Sequence, residues 1–157
     1  MKFEFINKDI IVYIPRDIIN FNLLIKEEIE RFVKDIILRL KKKHNKKISG
    51  FYKVEVYQND TYGLIFDIKK QNDLDLFPDL IDLKLIILYE SEMFLELDDY
   101  FLLDKYSKVY EYNKKYYIDI SLLEEKEILR LLEFSKIIYG EKKKQLENFL
   151  ILLRNMI

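Results

Sequence analysis

The spacing of apolar residues changes twice within the first 70 residues, and this change constrains the fold more than any other feature. Two short apolar stretches flank the turn-type tripeptide Asn7-Lys8-Asp9, which predicts a β-hairpin. A second hairpin is predicted for residues 51–58 and 62–69, where apolar residues alternate with a period of two. Between the hairpins, helical spacing marks one buried helix face: Ile25, Ile29, Phe32, Val33, Ile36, Ile37 and Leu40. These residues predict ββαββ, or βαββ if the opening hairpin is one bent strand.

The second half repeats both kinds of pattern. Residues 83–89 and 93–97 predict one hairpin, and residues 108–112 and 116–120 predict another across Asn113-Lys114-Lys115. Together with the first half, this pattern predicts an α+β fold in which antiparallel β-hairpins pack against two or three amphipathic helices.

The helices of the second half are predicted at two places. Ser121 with Glu124 fits the capping box of a helix that continues to about residue 133. Residues 145–157 predict a closing amphipathic helix, whose apolar stripe packs either internally or against a second copy of the chain. The residues of this possible homo-oligomer contact are Leu146, Phe149, Leu150 and Leu153, with Met156 on the same stripe.

The length of 157 residues suits one domain or two small lobes. We predict an N-terminal ββαββ lobe over 1–70 and a C-terminal hairpin-helix lobe over 81–157. Residues 71–80 carry acids, Asn72 and Pro78, which is typical of a linker. One continuous domain is the alternative.

The residue types that most enzymes use are nearly absent. The chain has one His, three Gly, no Cys and no Trp. The absence of Cys excludes disulfides, thiolate nucleophiles and Cys-based metal sites. No Gly-rich phosphate loop or Gly-x-Ser-x-Gly motif is present, and His44 lies inside a basic run. We therefore predict a protein with no catalytic residues, no cofactor and no metal site.

The sequence predicts a cytoplasmic location. The N-terminal residues Met1-Lys2-Phe3-Glu4-Phe5 read as a strand rather than a signal peptide. No window approaches the roughly 20 uninterrupted apolar residues that span a bilayer, so we expect no membrane partner. The absence of cysteine also fits a reducing compartment.

Charge is unevenly distributed, although the net charge is only −1. A basic run could neutralise several phosphates of a nucleic acid. The alternative is a solvated helix end whose cations complement the helix dipole. The run consists of Arg39, Lys41, Lys42, Lys43, Lys46 and Lys47.

Two groups of carboxylates suggest a metal-dependent hydrolase or nuclease as a further alternative. Asp98-Asp99, with Glu96 and Asp104 nearby, could supply oxygen ligands to Mg²⁺ or Ca²⁺. Asp67-Ile68-Lys69, with Glu55 on the preceding strand, resembles the acid-x-Lys arrangement of some nucleases. Such groups also arise readily in a chain this rich in Asp and Lys, and then form charged loops.

The chain has twelve tyrosines, several of them on one predicted hairpin. Tyr110, Tyr112 and Tyr116 could form an aromatic recognition surface, because Tyr offers large contact area at low entropic cost. The alternative is that Tyr occupies positions where other chains carry Leu or Val, as in proteins of low-GC bacterial composition.

The hairpin Val109–Ile120, the acidic helix after it and Tyr139-Gly140-Glu141 resemble the C-terminal domain of MecA-type adaptors of the Clp protease. This resemblance implies a non-catalytic adaptor. Chiefly because catalytic residue types are scarce, we predict an interaction protein that binds another macromolecule, with a protein as the first candidate partner. A nucleic-acid-binding module that uses residues 39–47 is the runner-up.

Overall fold

The computed structural model describes residues 1–7, 9–22, 25–44, 50–71, 81–103, 105–106 and 108–155, excepting the side chains of 44 and 152–155. The chain forms two compact units. Unit 1 comprises Met1–Gln58 and Gly63–Leu88, and unit 2 comprises Asn59–Tyr62 and Tyr89–Ile157. The described residues form two five-stranded sheets and three α-helices, which confirms the α+β prediction. Of the predicted linker, residues 71–80, only Gln71 lies within the described part of the chain.

The first sheet has the strand order β1-β2-β4-β3-β5. Its elements are β1 (Lys2–Ile6), β2 (Asp9–Pro15), α1 (Lys26–His44), β3 (Gly50–Asn59), β4 (Gly63–Lys70) and β5 (Ile81–Tyr89). β1 and β2 pair antiparallel, as the sequence predicted, and β4 then pairs antiparallel with the other side of β2. The sheet is therefore assembled partly from strands that are distant in sequence.

Helix α1 supplies part of the core of unit 1. Its buried residues share one face because they recur at i, i+3 and i+4 spacing, as predicted. Two members of the predicted face differ, since Ile25 precedes the helix and is 40% exposed, and Phe32 is only partly buried. They belong to one apolar cluster with buried residues of the strands, among them Val12, Val54 and Phe66. Each such side chain contributes about 1.5–3 kcal/mol when it is fully buried. The buried helix face consists of Ile29, Val33, Ile36, Ile37 and Leu40.

The second sheet has the strand order β10-β7-β8-β6-β9. Unit 2 contains β6 (Phe94–Leu97), β7 (Lys108–Tyr112), β8 (Lys115–Asp119), α2 (Glu125–Leu131), β9 (Ser135–Ile138), α3 (Gly140–Glu147) and β10 (Ile151–Asn155). All four strand pairs are antiparallel. The predicted β7–β8 hairpin is confirmed. Asn113 and Lys114 turn the chain with φ of 52° and 64°, the backbone of a type I′ turn.

The hairpin predicted for residues 83–89 and 93–97 is wrong. β5 lies beside β3 in the first sheet, whereas β6 pairs with β8 and β9 in the second. Both strands were recognised by their apolar alternation. However, periodicity does not specify a pairing partner, and short separation in sequence favoured the wrong one.

Two details of the predicted helices are also wrong. The capping box of α2 joins Glu124 and Glu127, while Asp119 accepts the backbone N–H of Ser121 in the preceding 3-10 turn. The predicted closing helix ends early, since α3 stops at Glu147 and the chain then forms β10. An apolar run such as Ile151-Leu152-Leu153 fits a strand as well as a helix, and pairing with β7 decides between them.

Among the described residues, no helix is long and apolar enough to cross a membrane.

Candidate functional site

The basic run is only partly within the described residues. Arg39, Lys42 and Lys43 are exposed and Lys41 is half-buried, all on the last turns of α1. Within the described part of the chain, no carboxylate lies within 4.0 Å of these four cations. The structure therefore presents a cationic surface here, which we call the α1 cationic turn (Arg39, Lys41, Lys42 and Lys43). Lys46 and Lys47 lie outside the described residues.

The structure brings together Glu55, Asp67 and Lys69, as the sequence suggested. Lys69 Nζ lies 3.6 Å from Glu55 Oε1 and 3.8 Å from Asp67 Oδ2. Lys53 Nζ is 3.3 Å from Glu55 Oε1, and the Tyr57 hydroxyl donates to Glu55 Oε2 at 2.5 Å. Two ammonium groups thus face two carboxylates, and the cluster neutralises its own charge.

The two carboxyl groups of this cluster have opposite pKa shifts. The hydrogen bond from Tyr57 holds the pKa of Glu55 below 4.5, helped by the charges of Lys69 and Lys53, and outweighs the effect of burial. Burial raises the pKa of Asp67 above 3.8, against the opposing charge of Lys69. A raised pKa favours a neutral acid. Glu55 and Asp67 therefore lie in different electrostatic surroundings, although their strands are neighbours.

The acidic block of the second half is divided among separate interactions. Lys115 Nζ donates to Asp98 Oδ1 at 2.7 Å, and this bond lowers the pKa of Asp98. Glu96 accepts the hydroxyl of Tyr117 at 2.8 Å, and Asp99 accepts the backbone N–H of Phe101. Asp104 lies outside the described residues. Within the part of the chain that the structure describes, no group of three or more His, Cys, Asp or Glu is positioned to hold a metal ion.

The three tyrosines of the predicted recognition surface have different surroundings. Tyr110 is half-buried and packs edge-on against Phe94, at 6.0 Å between ring centroids. Tyr116 is half-buried beside Tyr100, at 5.4 Å. Only Tyr112 is exposed, with 39% of its surface accessible. The structure therefore reduces the predicted surface to one of its three members.

Tyr112 belongs to an exposed aromatic pair that the sequence did not indicate. Its ring stacks on Phe149, at 5.4 Å between centroids and 26° between planes, and Phe149 is 56% exposed. Ile151, the first residue of β10, is 66% exposed. We call Tyr112, Phe149 and Ile151 the β10 apolar patch. Within the described residues β10 has a strand partner on one side only, so the patch borders an open sheet edge.

The predicted oligomerisation stripe is divided by the break between α3 and β10. Leu146 and Leu150 are half-buried and pack against the cluster of Phe94, Tyr117 and Ile138. Phe149 is 56% exposed, while the side chain of Leu153 and the whole of Met156 are outside the described residues. Among the described side chains of the stripe, Phe149 is therefore the exposed one.

A buried polar network, which the sequence analysis missed, lies at the start of unit 2. Asn59 is 3% exposed; its Oδ1 accepts the backbone N–H groups of Thr61 and Tyr62, and its Nδ2 donates to the carbonyl of Glu90. The Glu90 carboxylate in turn accepts the N–H of Gly140 at 3.0 Å. The only signal in the sequence was a turn-type Asn. All members of this network belong to unit 2, where it joins the Asn59–Tyr62 turn to Glu90 and Gly140.

No protein-family model matches the sequence, and no curated protein or solved structure is significantly similar to it.

Proposed function

We propose that this chain is a non-catalytic, cytoplasmic protein-interaction module, which binds an extended segment of a partner protein along the open edge of β10. The observation that carries the proposal is the stacked, exposed pair of Tyr112 and Phe149 beside that edge. The cytoplasmic part of the proposal is supported by the absence of cysteine, which fits a reducing compartment.

An open sheet edge presents backbone N–H and C=O groups that a further strand can pair with. Proteins that bind peptides by strand addition gain affinity from these main-chain bonds, and specificity from nearby pockets or patches. The β10 apolar patch supplies such a surface. Phe149 lies two residues before β10, and Ile151 is its first residue. An incoming strand would therefore meet apolar side chains at this end.

The energetic contribution of the patch follows from its exposure. Complete burial of a Phe side chain contributes about 1.5–3 kcal/mol. Since 56% of Phe149 is accessible in the free chain, a partner that covers it gains about 1–1.5 kcal/mol. This is roughly a tenfold change in Kd. Phe149→Ala should therefore weaken binding about tenfold.

The proposal is tested by placing a photo-crosslinking amino acid at position 149 in cells of the native host. A matched chain carries the same group at Phe134, which is 60% exposed in the loop after α2. We expect one partner to crosslink from position 149 and not from position 134. The purified partner should then slow hydrogen exchange of the backbone amides of Ile151–Asn155.

Three variants separate the patch from the rest of the surface. Ile151→Lys and Phe149→Ala should weaken binding of that purified partner, whereas Phe134→Ala should not. Equal crosslinking from both positions, or binding without protection of the β10 amides, would overturn the proposal. Crosslinking to a second copy of the chain would also overturn it, because the edge would then serve self-association.

A further inference from the structure

The two halves of helix α1 differ sharply in charge. Residues 26–35 carry three cations and four anions. Residues 36–44 carry four cations and no anion, namely the α1 cationic turn defined above. In the first half, Lys34 pairs with Glu30 one turn earlier, at 3.3 Å. The second half contains no acid that could form such a pair.

The cations of the α1 cationic turn are also grouped in space. With 3.6 residues per turn, Arg39, Lys42 and Lys43 lie within an arc of about 100° around the helix axis. All three are exposed. Asp35, the acid nearest in sequence, is not within 4.0 Å of any of them. Three like charges therefore face the same solvent region, and no described carboxylate forms an ion pair with any of them.

The helix dipole accounts for part of this arrangement. Cations near a helix C-terminus are stabilising, by about 0.3–1 kcal/mol each, but the effect falls off within the last turn. Lys42 and Lys43 lie in that turn, since α1 ends at His44. Arg39 lies five residues before the end, beyond the reach of this effect. The helix dipole therefore does not account for Arg39.

We propose that the α1 cationic turn binds the phosphate backbone of a nucleic acid, independently of the β10 edge. Phosphate contacts need only exposed cations, because the free energy comes largely from the release of condensed counterions. A protein interface also needs an apolar centre. Binding to a membrane surface similarly requires an apolar face beside the cations. On the exposed side of this half of α1 the one apolar side chain is Leu38, which favours the nucleic acid.

The test is a binding titration of the full chain with a fluorescently labelled oligothymidylate, and separately with a labelled DNA duplex. Three neutralised phosphates predict a slope of log K against log salt of about −2 for the single strand and about −2.7 for the duplex. Affinity should therefore fall about 16-fold to 40-fold as salt rises from roughly 50 to 200 mM. The variant R39A/K42A/K43A should lose both the affinity and this dependence on salt.

A matched control is available on the same helix. The variant K26A/R31A/K34A removes the same amount of charge from the first half of α1 and should bind as the unmodified chain does. Far-UV circular dichroism checks that both variants fold. The proposal is overturned if the chain does not bind at low salt, or if the two variants bind equally. Equal or tighter binding to poly-glutamate or to anionic vesicles would overturn it too, by assigning the surface to an acidic protein or a membrane.

Discussion

The buried polar network around Asn59 predicts that the side chain of Asn59 has a large effect on the stability of the chain. The side chain makes three hydrogen bonds of 2.9 Å, and two of its partners, the N–H of Tyr62 and the carbonyl of Glu90, lie in the buried interior. A buried polar group left without a partner costs about 1–3 kcal/mol. Adding the smaller loss at the partly buried Thr61, Asn59→Ala should lower the free energy of unfolding by about 3–5 kcal/mol.

The substitution Asn59→Asp separates the two roles of this side chain. It retains the acceptor for the turn N–H groups but replaces the donor to Glu90 with a carboxylate oxygen. At neutral pH the carbonyl of Glu90 would then face a buried negative charge, so the loss should be at least as large as that of Asn59→Ala. It should diminish at acidic pH, where a protonated Asp can donate again.

Urea denaturation followed by far-UV circular dichroism measures these losses. With a slope near 2 kcal/mol per molar urea, Asn59→Ala should move the midpoint down by about 1.5–2.5 M. The neighbouring Asp60 is a matched control, because its hydrogen bond to Tyr89 is exposed. Asp60→Ala should cost at most about 1 kcal/mol. A loss below about 1 kcal/mol for Asn59→Ala would refute the reasoning, since the side chain would then not satisfy these groups.

Two further predictions concern a glycine and a buried acid. Gly63 has φ of +129°, and a Cβ there would lie 2.4 Å from the carbonyl oxygen of Ile14, so Gly63→Ala should cost about 3 kcal/mol or more in thermal or urea unfolding. Gly140→Asn, at φ of +62°, should cost far less, because Asn tolerates that region; equal losses would contradict this explanation. Burial raises the pKa of Glu90 above 4.5, against Lys143, the Gly140 N–H and Lys144, with Glu147 adding to the rise. The contribution of Glu90 to stability is therefore complete below pH 4.5 and is lost as pH rises through its pKa in the folded state. Gln cannot ionise, so Glu90→Gln should become more stable relative to the unmodified chain as pH rises from acidic to neutral. If the difference in the free energy of unfolding between Glu90→Gln and the unmodified chain does not change with pH, the prediction for Glu90 is wrong.

The secondary-structure elements that depend on local sequence signals were predicted correctly. Helix α1 has a strong helical period, and the β7–β8 hairpin is joined by Asn113 and Lys114 at positive φ. Pairing between distant strands has no such signal. β5 lies beside β3 rather than β6, and β10 pairs with β7 instead of continuing α3. These choices depend on which unpaired edge is available after the local elements have formed.

The candidate sites were predictable to a smaller extent, for a related reason. The sequence indicated the α1 cationic turn, because neighbouring residues of a helix stay together. It also indicated the meeting of Glu55 with Asp67, since a hairpin joins their strands. The β10 apolar patch could not be predicted from the sequence, because Tyr112 and Phe149 come together only through the β7–β10 pairing. In the sequence Asn59 is typical of a turn residue. Its buried hydrogen bond joins it to Glu90, which follows 31 positions later.

The way the chain uses its polar groups is the physical basis of the two binding surfaces that we propose. Carboxylates that the sequence offered as candidate ligands are engaged by the chain's own donors, as Glu55 is by Tyr57 and Lys53, and Glu96 by Tyr117. Such pairs satisfy the hydrogen-bonding capacity of both partners and leave little for a substrate. By contrast, the α1 cationic turn and the open edge of β10 retain charge or backbone groups without compensation from the described residues. A partner that binds at either place gains interactions without breaking internal ones, which is the energetic condition that a binding surface must meet.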